Sequence, residues 1–181
     1  MDIEWKVLFI LERLWIAFEK VVRDIAIQNN LSPLQAKIIT YLLRKGEASI
    51  KEVVSEVNVK HSACNSALKA LSRKKLIIIY EGKTDRRFKM ISLTNAGREL
   101  AKSLNWYSVF SESISHLRRS EKHQFLVLLM NLAKLMQEKG LISPQKMCFS
   151  CVYFHDMYCL FLKKKLSAET LQVSCPDFKP A

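Results

Sequence analysis

The sequence predicts a mainly α-helical fold with a small β-hairpin wing, that is, a winged helix-turn-helix. Three observations lead to this prediction. Two helical patterns follow each other closely between residues 49 and 75. Two short strand patterns joined by a polar turn come directly after them. Long apolar helical patterns flank this module on both sides, and a cysteine-bearing tail follows the last of them.

Two helices are predicted before the helix-turn-helix. Residues 3–28 carry apolar side chains at three- and four-residue spacing, as one long amphipathic helix requires. Three large side chains widen this stripe beyond the needs of one small core: Trp5, Leu8 and Trp15. Ser32 begins the second helix with the capping sequence Ser-Pro-Leu-Gln, and Gly46 is predicted to end it.

The helix-turn-helix pair is predicted next. Ser49 and Glu52 stand in capping-box spacing, so a short helix is expected to start at Ser49. In the second helix, within residues 60–75, the apolar positions predicted to face inward are Ala63, Cys64, Ala67, Leu68 and Leu71. Cys64 is therefore expected to be a small buried side chain rather than a ligand. The outward positions are polar or basic, as a DNA major groove accepts, and are Lys60, His61, Ser62, Asn65, Ser66 and Lys69.

A β-hairpin is predicted after this helix. Residues 76–80 are short and rich in β-branched side chains, and residues 88–94 form a second apolar run. Gly82 lies in the connecting turn. The turn also carries three cations, Lys83, Arg86 and Arg87, in the position where a wing reaches a DNA minor groove.

The run DRRFKMISLTNAG, residues 85–97, resembles the wing of MarR-family transcriptional regulators, with its Asp-Arg-Arg, Ile-x-Leu-Thr and Gly pattern. The resemblance extends over about residues 1–139 in the order of elements. It implies that Arg87, with Arg86 as alternate, enters the minor groove, and that Asp85 supports the wing by pairing with an Arg. It also implies a homodimer joined by the terminal helices. Lys60 departs from the pattern, because the family usually has Ser or a similar helix-capping residue there.

Two further helices are predicted before the tail. One begins at the Thr94-Asn95 cap and runs through Leu100, Leu104, Tyr107 and Ile114; the other runs from Ser120 to Gly140. Surplus apolar surface at both ends of the chain predicts a symmetric homodimer, which would read a palindromic operator. The predicted organisation is an N-terminal dimerisation helix (1–30), a DNA-binding domain (31–95), C-terminal dimerisation helices (96–140) and a metal-binding tail (141–181).

Composition agrees with a nucleic-acid partner. The 181 residues have a formal net charge of +12, and residues 44–89 hold 12 Lys and Arg against 5 Asp and Glu. Positive charge concentrated on the reading module is typical of proteins that bind double-stranded DNA. The acidic start of the chain is unlike a secretory signal, and no apolar run is long enough to span a membrane. A cytoplasmic protein without a membrane partner is therefore expected.

The tail carries the spacing C-x2-C-x7-C-x15-C, formed by Cys148, Cys151, Cys159 and Cys175. Four thiolates in one short segment of a cytoplasmic chain suit a single metal centre, because thiolates bind soft and borderline cations strongly. An iron-sulfur cluster and a zinc ion both fit, and the cluster is slightly favoured because a sensor needs a labile centre. Two other interpretations stay open: His155 replaces one thiolate, or the tail is an apolar patch with incidental thiols.

These patterns predict a dimeric, sequence-specific DNA-binding transcriptional regulator that senses redox state, oxygen or a metal through the four-cysteine centre. One alternative is a MarR-type regulator that responds to a small aromatic effector and carries a structural zinc tail. An alternative of another class is a thiol oxidoreductase or electron-transfer protein. No phosphate loop, zinc-protease motif or nucleophile elbow occurs, so no catalytic residues are predicted.

Overall fold

The computed structural model describes residues 2–82 and 89–181, in two compact units within residues 1–110 and 111–181. The elements of the first unit are α1 (Ile3–Gln28), α2 (Pro33–Lys45), β1 (Glu47–Ser49), α3 (Ile50–Val57), α4 (His61–Arg73), β2 (Ile77–Glu81), β3 (Lys89–Leu93) and α5 (Asn95–Ser103). Helix α6 (Trp106–Ser115) crosses the division. The second unit contains α7 (Arg119–Glu138), a 3-10 turn (Cys148–Ser150), β4 (Phe154–His155), β5 (Tyr158–Cys159) and β6 (Lys164–Lys165).

Both predicted capping boxes are confirmed. The Gln35 N–H donates to Ser32 Oγ at 3.2 Å, and the Glu52 N–H donates to Ser49 Oγ at 3.2 Å. In each box the glutamine or glutamate side chain accepts a hydrogen bond in return from the capping residue's N–H. These bonds satisfy backbone donors that a helix start leaves free, which fixes the starts of α2 and α3. No helix in the described part of the chain is long and apolar enough to cross a membrane.

The core of the first unit lies between α2, α4 and a three-stranded antiparallel sheet of order β1-β3-β2. Its fully buried large side chains include Ile38, Ile39, Leu42, Leu68, Leu71 and Ile91. The register places Ile91 opposite both Ala48 and Ile79. The hairpin strands are therefore confirmed, but β1 was not predicted. Three residues between a glycine and a helix cap are too few to show a strand pattern.

Three sequence predictions are corrected. Ala63 is exposed, because the buried face of α4 is narrower than predicted and consists of the other four inward positions, Cys64, Ala67, Leu68 and Leu71. The single helix predicted after Thr94 is two helices, α5 and α6: Leu104 and Trp106 are both buried, and residues two apart cannot share one face of a continuous helix. Helix α7 begins at Arg119 instead of Ser120, where the Glu121 carboxylate accepts a hydrogen bond from the Arg118 N–H at 2.8 Å.

The connection from β3 to α5 is held by a side chain and a close backbone approach. The Thr94 hydroxyl accepts a hydrogen bond from the Gly97 N–H at 3.0 Å and donates to the Lys75 carbonyl at 2.8 Å. The Thr94 N–H donates to the Leu76 carbonyl at 3.1 Å. A Cβ atom on Gly97 would lie only 1.9 Å from that carbonyl oxygen. Position 97 therefore has room for glycine alone, and this contact sets the first turn of α5 against the start of β2.

Candidate DNA-binding surface and cysteine site

Helix α4 is anchored by one apolar face. Cys64, Ala67, Leu68 and Leu71 are buried in the core, as predicted. Burial raises the pKa of the Cys64 thiol, which keeps it neutral and inert. Because this face holds α4 in place, its opposite face is presented outward on a fixed support.

The predicted reading residues lie on that outer face. Lys60, His61, Ser62, Ser66 and Lys69 are exposed, and Asn65 is half-buried. Asn65 Nδ2 lies 2.9 Å from His61 Nδ1, and the Ser66 hydroxyl donates to the Ser62 carbonyl at 3.0 Å. These contacts leave the Asn65 side-chain oxygen and the Ser66 lone pairs available to a ligand. No acidic side chain in the described part of the chain pairs with Lys60 or Lys69.

The start of α4 is open. Lys60 is the N-cap residue, and its side chain makes no capping hydrogen bond. The departure from the family pattern thus has a structural counterpart: the first backbone N–H groups of α4 are without a side-chain cap, where an anionic group can bind them. Residues 58–80 contain five Lys and Arg and no Asp or Glu, so the charge around this helix has one sign.

Acidic groups on the preceding helix are neutralised within the fold. Glu52 forms an ion pair with Lys45 at 3.3 Å, and Glu56 forms one with Arg44 at 3.2 Å. Burial alone would raise the pKa of Glu52, but hydrogen bonds from Ser49 and Lys45 lower it below its usual value. The carboxylates of α3 therefore do not oppose the positive surface of α4 as free charges.

The predicted wing contacts, Lys83, Arg86 and Arg87, and the supporting Asp85 lie outside the described residues. The strands that carry the wing are described. The Tyr80 hydroxyl on β2 donates to the Glu47 carboxylate on β1, and this hydrogen bond is the main reason that the pKa of Tyr80 is raised. The bond links the two outer strands of the sheet at the base of the hairpin.

Helix α1 exposes an apolar surface along its first half. Trp5 is 65% exposed, Leu8 57% and Trp15 60%, whereas only Val22 and Ala26 of this helix are buried. An exposed apolar surface of this extent is typical of a protein-protein interface. In the second unit, Leu128 and Leu135 of α7 are likewise exposed. The surplus apolar surface that the sequence predicts at both ends of the chain is thus present.

The four tail cysteines line one apolar cavity of about 30 Å³. Cys148 is buried, and Cys151, Cys159 and Cys175 are half-buried. Cys148 and Cys151 flank a single 3-10 turn in which the Cys151 N–H donates to the Cys148 carbonyl at 3.0 Å. Cys159 lies in β5. The Cys175 N–H donates a hydrogen bond to the Lys146 carbonyl. His155 is exposed and does not line this cavity.

Backbone N–H groups point at two of these sulfur atoms. The Gln172 N–H donates to Cys148 Sγ at 3.2 Å, and the Leu162 N–H donates to Cys159 Sγ at 3.5 Å. Burial raises the pKa of Cys148, and the bond from Gln172 opposes that shift. Among the described residues, no group of three or more His, Cys, Asp or Glu side chains is placed so that it could hold a metal ion. The four thiols would therefore have to move closer together to bind one.

The tail is attached to α7 by packing and by a polar network. Met130 of α7 packs in one buried cluster with Met147, Phe149, Leu166 and Leu171 of the tail. Arg119 donates to Glu169 at 3.1 and 2.5 Å, and His123 lies 2.9 Å from the same carboxylate. The hydrogen bonds from Arg119, and then from Ser167, lower the pKa of Glu169 to about 2.

The sequence did not predict several of these groups. Glu169 lies 50 positions from Arg119, and the donors to sulfur are backbone groups, so neither leaves a pattern in the sequence. Lys164 faces Cys159 across β5 and β6, a pairing that depends on a register no spacing reveals. The four cysteines themselves were found because their spacing is compact.

Comparisons of sequence support a regulator fold. A family profile described as "Sugar-specific transcriptional regulator TrmB" matches residues 28–94. The chain is 26% identical over 117 residues to the "Uncharacterized HTH-type transcriptional regulator YwhA" of Bacillus subtilis, a match over 64% of this chain and 84% of YwhA. Both are described as transcriptional regulators, the class of protein that the sequence predicted.

Solved structures show the same fold. MepR from S. aureus, in its DNA-binding conformation, superposes with a TM-score of 0.62 at 22% identity, covering 73% of this chain and 97% of MepR. A mutant MarR from E. coli, complexed with operator DNA, superposes with a TM-score of 0.58 at 14% identity, covering 73% of this chain and 99% of MarR. The predicted resemblance to the MarR-family winged helix is thereby confirmed at the level of fold.

Proposed function

We propose that this chain is a homodimeric transcriptional regulator of the MarR type that binds double-stranded DNA in a sequence-specific manner. The observation that carries this proposal is the outer face of α4, where polar and basic side chains stand on a buried apolar support. The fold likeness supports it, because MepR was solved in a DNA-binding conformation and MarR on operator DNA. The protein acts in the cytoplasm as a regulator and not as an enzyme.

Asn65 is the residue on α4 best suited to read a base. An asparagine amide can bind an adenine edge through two hydrogen bonds. The contact between Asn65 and His61 restricts the orientation of the amide, so less conformational freedom is lost on binding. Lys60 and Lys69 supply positive charge for phosphates, and Arg86 and Arg87 supply it for the minor groove beside the reading helix.

Substitution of the α4 surface tests this assignment. Asn65→Ala is expected to relax the preference at one base pair in each half-site, at about 1–3 kcal/mol. Lys69→Ala is expected to weaken binding to all sequences alike and to reduce the slope of log affinity against log salt by roughly one per subunit contact. Titration with operator and with scrambled DNA measures both effects.

Lys102→Ala is the matched control, because Lys102 is an exposed lysine on α5 that already pairs with Glu99 at 2.8 Å. It removes the same charge from the chain at a position away from α4. If Asn65→Ala retains full discrimination between operator and scrambled DNA, α4 does not read the sequence through Asn65. If Lys102→Ala changes the salt slope as much as Lys69→Ala, the effect comes from net charge alone.

The wing has its own test. Replacing Arg86 and Arg87 together by Ala is expected to weaken operator binding and flatten the salt dependence by roughly one unit per contact removed, while the helical circular dichroism signal is unchanged. Unaltered affinity and salt slope would remove the wing from the binding surface.

We further propose that the four-cysteine tail regulates DNA binding as a redox, oxygen or metal sensor, through zinc or an iron-sulfur cluster. The shared cavity of the four thiols supports this proposal. A change at the centre would act by altering the distance or angle between the two reading helices of a dimer on its palindromic operator. Operator titration of metal-loaded and metal-free protein tests it, because equal affinities contradict a sensor.

Two alternatives predict different results. A MarR-type regulator with a structural zinc tail would release operator DNA on addition of a small aromatic compound, whatever the state of the metal. A thiol oxidoreductase or electron-transfer protein would reduce a disulfide or a dye at rates that depend on the tail cysteines, and would not distinguish operator from scrambled DNA.

A further inference from the structure

The tail has little structure of its own to hold its shape. Its strands β4, β5 and β6 are two residues long, and its buried apolar cluster contains only five tail side chains: Met147, Cys148, Phe149, Leu166 and Leu171. Several tail side chains stay exposed, among them Leu160, Phe161 and Leu162. Segments of about 40 residues rarely bury enough apolar surface to stay folded without a disulfide or a metal.

No disulfide supplies this stabilisation, because all five cysteines are free thiols. The four tail cysteines come instead from three separate segments: the 3-10 turn, β5 and the stretch after Leu171. A bond from each of them to one common atom would join these segments. The Cys148 N–H already bonds the Gln172 carbonyl at 2.9 Å, and the Cys175 N–H bonds the Lys146 carbonyl at 2.7 Å, so the backbone brings the segments together around the cavity.

We propose that Cys148, Cys151, Cys159 and Cys175 bind one divalent ion of the zinc class as a tetrathiolate site, and that this ion holds the tail against α7. Binding converts the thiols to thiolates, which release their protons to solvent. This inference rests on the proposed function of the four-cysteine centre. It specifies that the centre holds a single metal ion.

The size of the cavity favours one ion over a cluster. A single water needs roughly 10–15 Å³ of such a cavity, and the cavity that the thiols line, together with six other side chains, is about 30 Å³. One Zn²⁺ with sulfur atoms at about 2.3 Å fits such a space. A cluster of several iron atoms and inorganic sulfides requires a larger one. The cavity thus favours zinc, against the slight preference for iron-sulfur expected from the cysteine spacing.

The surroundings of the sulfur atoms fit thiolate ligands. The N–H groups of Gln172 and Leu162 donate to Cys148 and Cys159, as the outer partners of metal ligands commonly do. Lys164 is the cross-strand partner of Cys159, so its ammonium group lies on the same face of the small sheet. Four thiolates and one divalent ion carry a net charge of −2. Lys164 supplies a positive charge on this face of the sheet, whereas Asp177, which lines the cavity, adds a negative one.

Metal analysis of the full chain tests the proposal. Protein purified without oxygen is expected to be colourless, to contain one zinc per chain, and to lack iron and acid-labile sulfide. Cys148→Ser, Cys151→Ser, Cys159→Ser and Cys175→Ser should each lose most of the zinc, whereas Cys64→Ala, the matched control in the winged-helix core, should retain it. Co²⁺ loaded in place of zinc should give the visible absorption of a tetrahedral thiolate site in the control and lose it in the four variants.

Removing zinc with a chelator should make residues 141–181 sensitive to protease and increase amide exchange around Met130, while the winged-helix unit stays protected. Stoichiometric iron with sulfide overturns the single-ion site, and full zinc in any one serine variant overturns the four-ligand set. A tail that stays protected after zinc removal overturns the role of the ion in holding it. These readouts use no DNA, so a failure of the proposed DNA binding is recorded separately by the operator titration.

Discussion

Gly97→Ala is expected to destabilise the winged-helix unit by about 3 kcal/mol, at the upper end of what a single added methyl group costs in a packed site. The Cβ atom would lie 1.9 Å from the Leu76 carbonyl oxygen, and that carbonyl is part of the backbone and cannot rotate away. It also accepts the Thr94 N–H bond at 3.1 Å, so moving it disturbs the start of β2 and the cap of α5 together. Thermal or urea unfolding measures the loss.

Asn95→Ala is the control for this prediction. Asn95 lies in the same first turn of α5 but is exposed, so its replacement should change the free energy of unfolding by about 0.5 kcal/mol or less. A Gly97→Ala protein as stable as the unaltered chain would show that β2 and α5 can separate without cost. DNA binding measured at a temperature where both variants are folded should be similar, because neither position lies on the outer face of α4.

The Gly97 contact explains why the family resemblance could be recognised from so few residues. The Leu-Thr and Gly of the run DRRFKMISLTNAG are residues that the fold itself requires: Thr94 caps α5, and Gly97 allows α5 to approach β2. These constraints are local in sequence, so they leave a readable motif. Arg86 and Arg87 of the same run lie outside the described residues, and their role in DNA binding stays a prediction.

Other parts of the fold were predictable to the extent that their causes are local. Capping at Ser32 and Ser49 depends on residues three positions apart, and both helix starts were found. The break between α5 and α6 depends on where Leu104 and Trp106 fit into a core built by other elements, so the periodic apolar pattern concealed it. Strand β1 exists through its pairing with β3, which lies more than 40 residues away.

The candidate sites, too, could be predicted only where their causes are local in sequence. The outer face of α4 follows from helical spacing, and five of its six predicted residues are exposed as expected. The cysteine spacing indicated a common site, but only the folded tail shows that the four thiols line one small cavity. The size of that cavity, which bears on the choice between a zinc ion and a cluster, has no sequence signal.

Leu8→Glu is expected to dissociate the proposed homodimer. Leu8 is 57% exposed in the single chain, so the substitution leaves the fold of that chain intact. In a symmetric dimer the change occurs twice, and each unpaired carboxylate buried in an apolar interface costs roughly 3–5 kcal/mol. The dimer should therefore weaken on the order of 10⁴-fold or more. Sedimentation over a range of concentrations measures this change directly.

Loss of the dimer should in turn weaken operator binding on the order of 10²-fold or more, because the two reading helices no longer bind as one linked unit. Gln28→Glu is the control: it adds the same charge at the exposed end of α1, away from the apolar first half, and should leave the dimer and the affinity intact. A Leu8→Glu protein that stays dimeric would place the interface elsewhere than the first half of α1. One that is monomeric but binds operator with full affinity would show that a single winged-helix unit is sufficient.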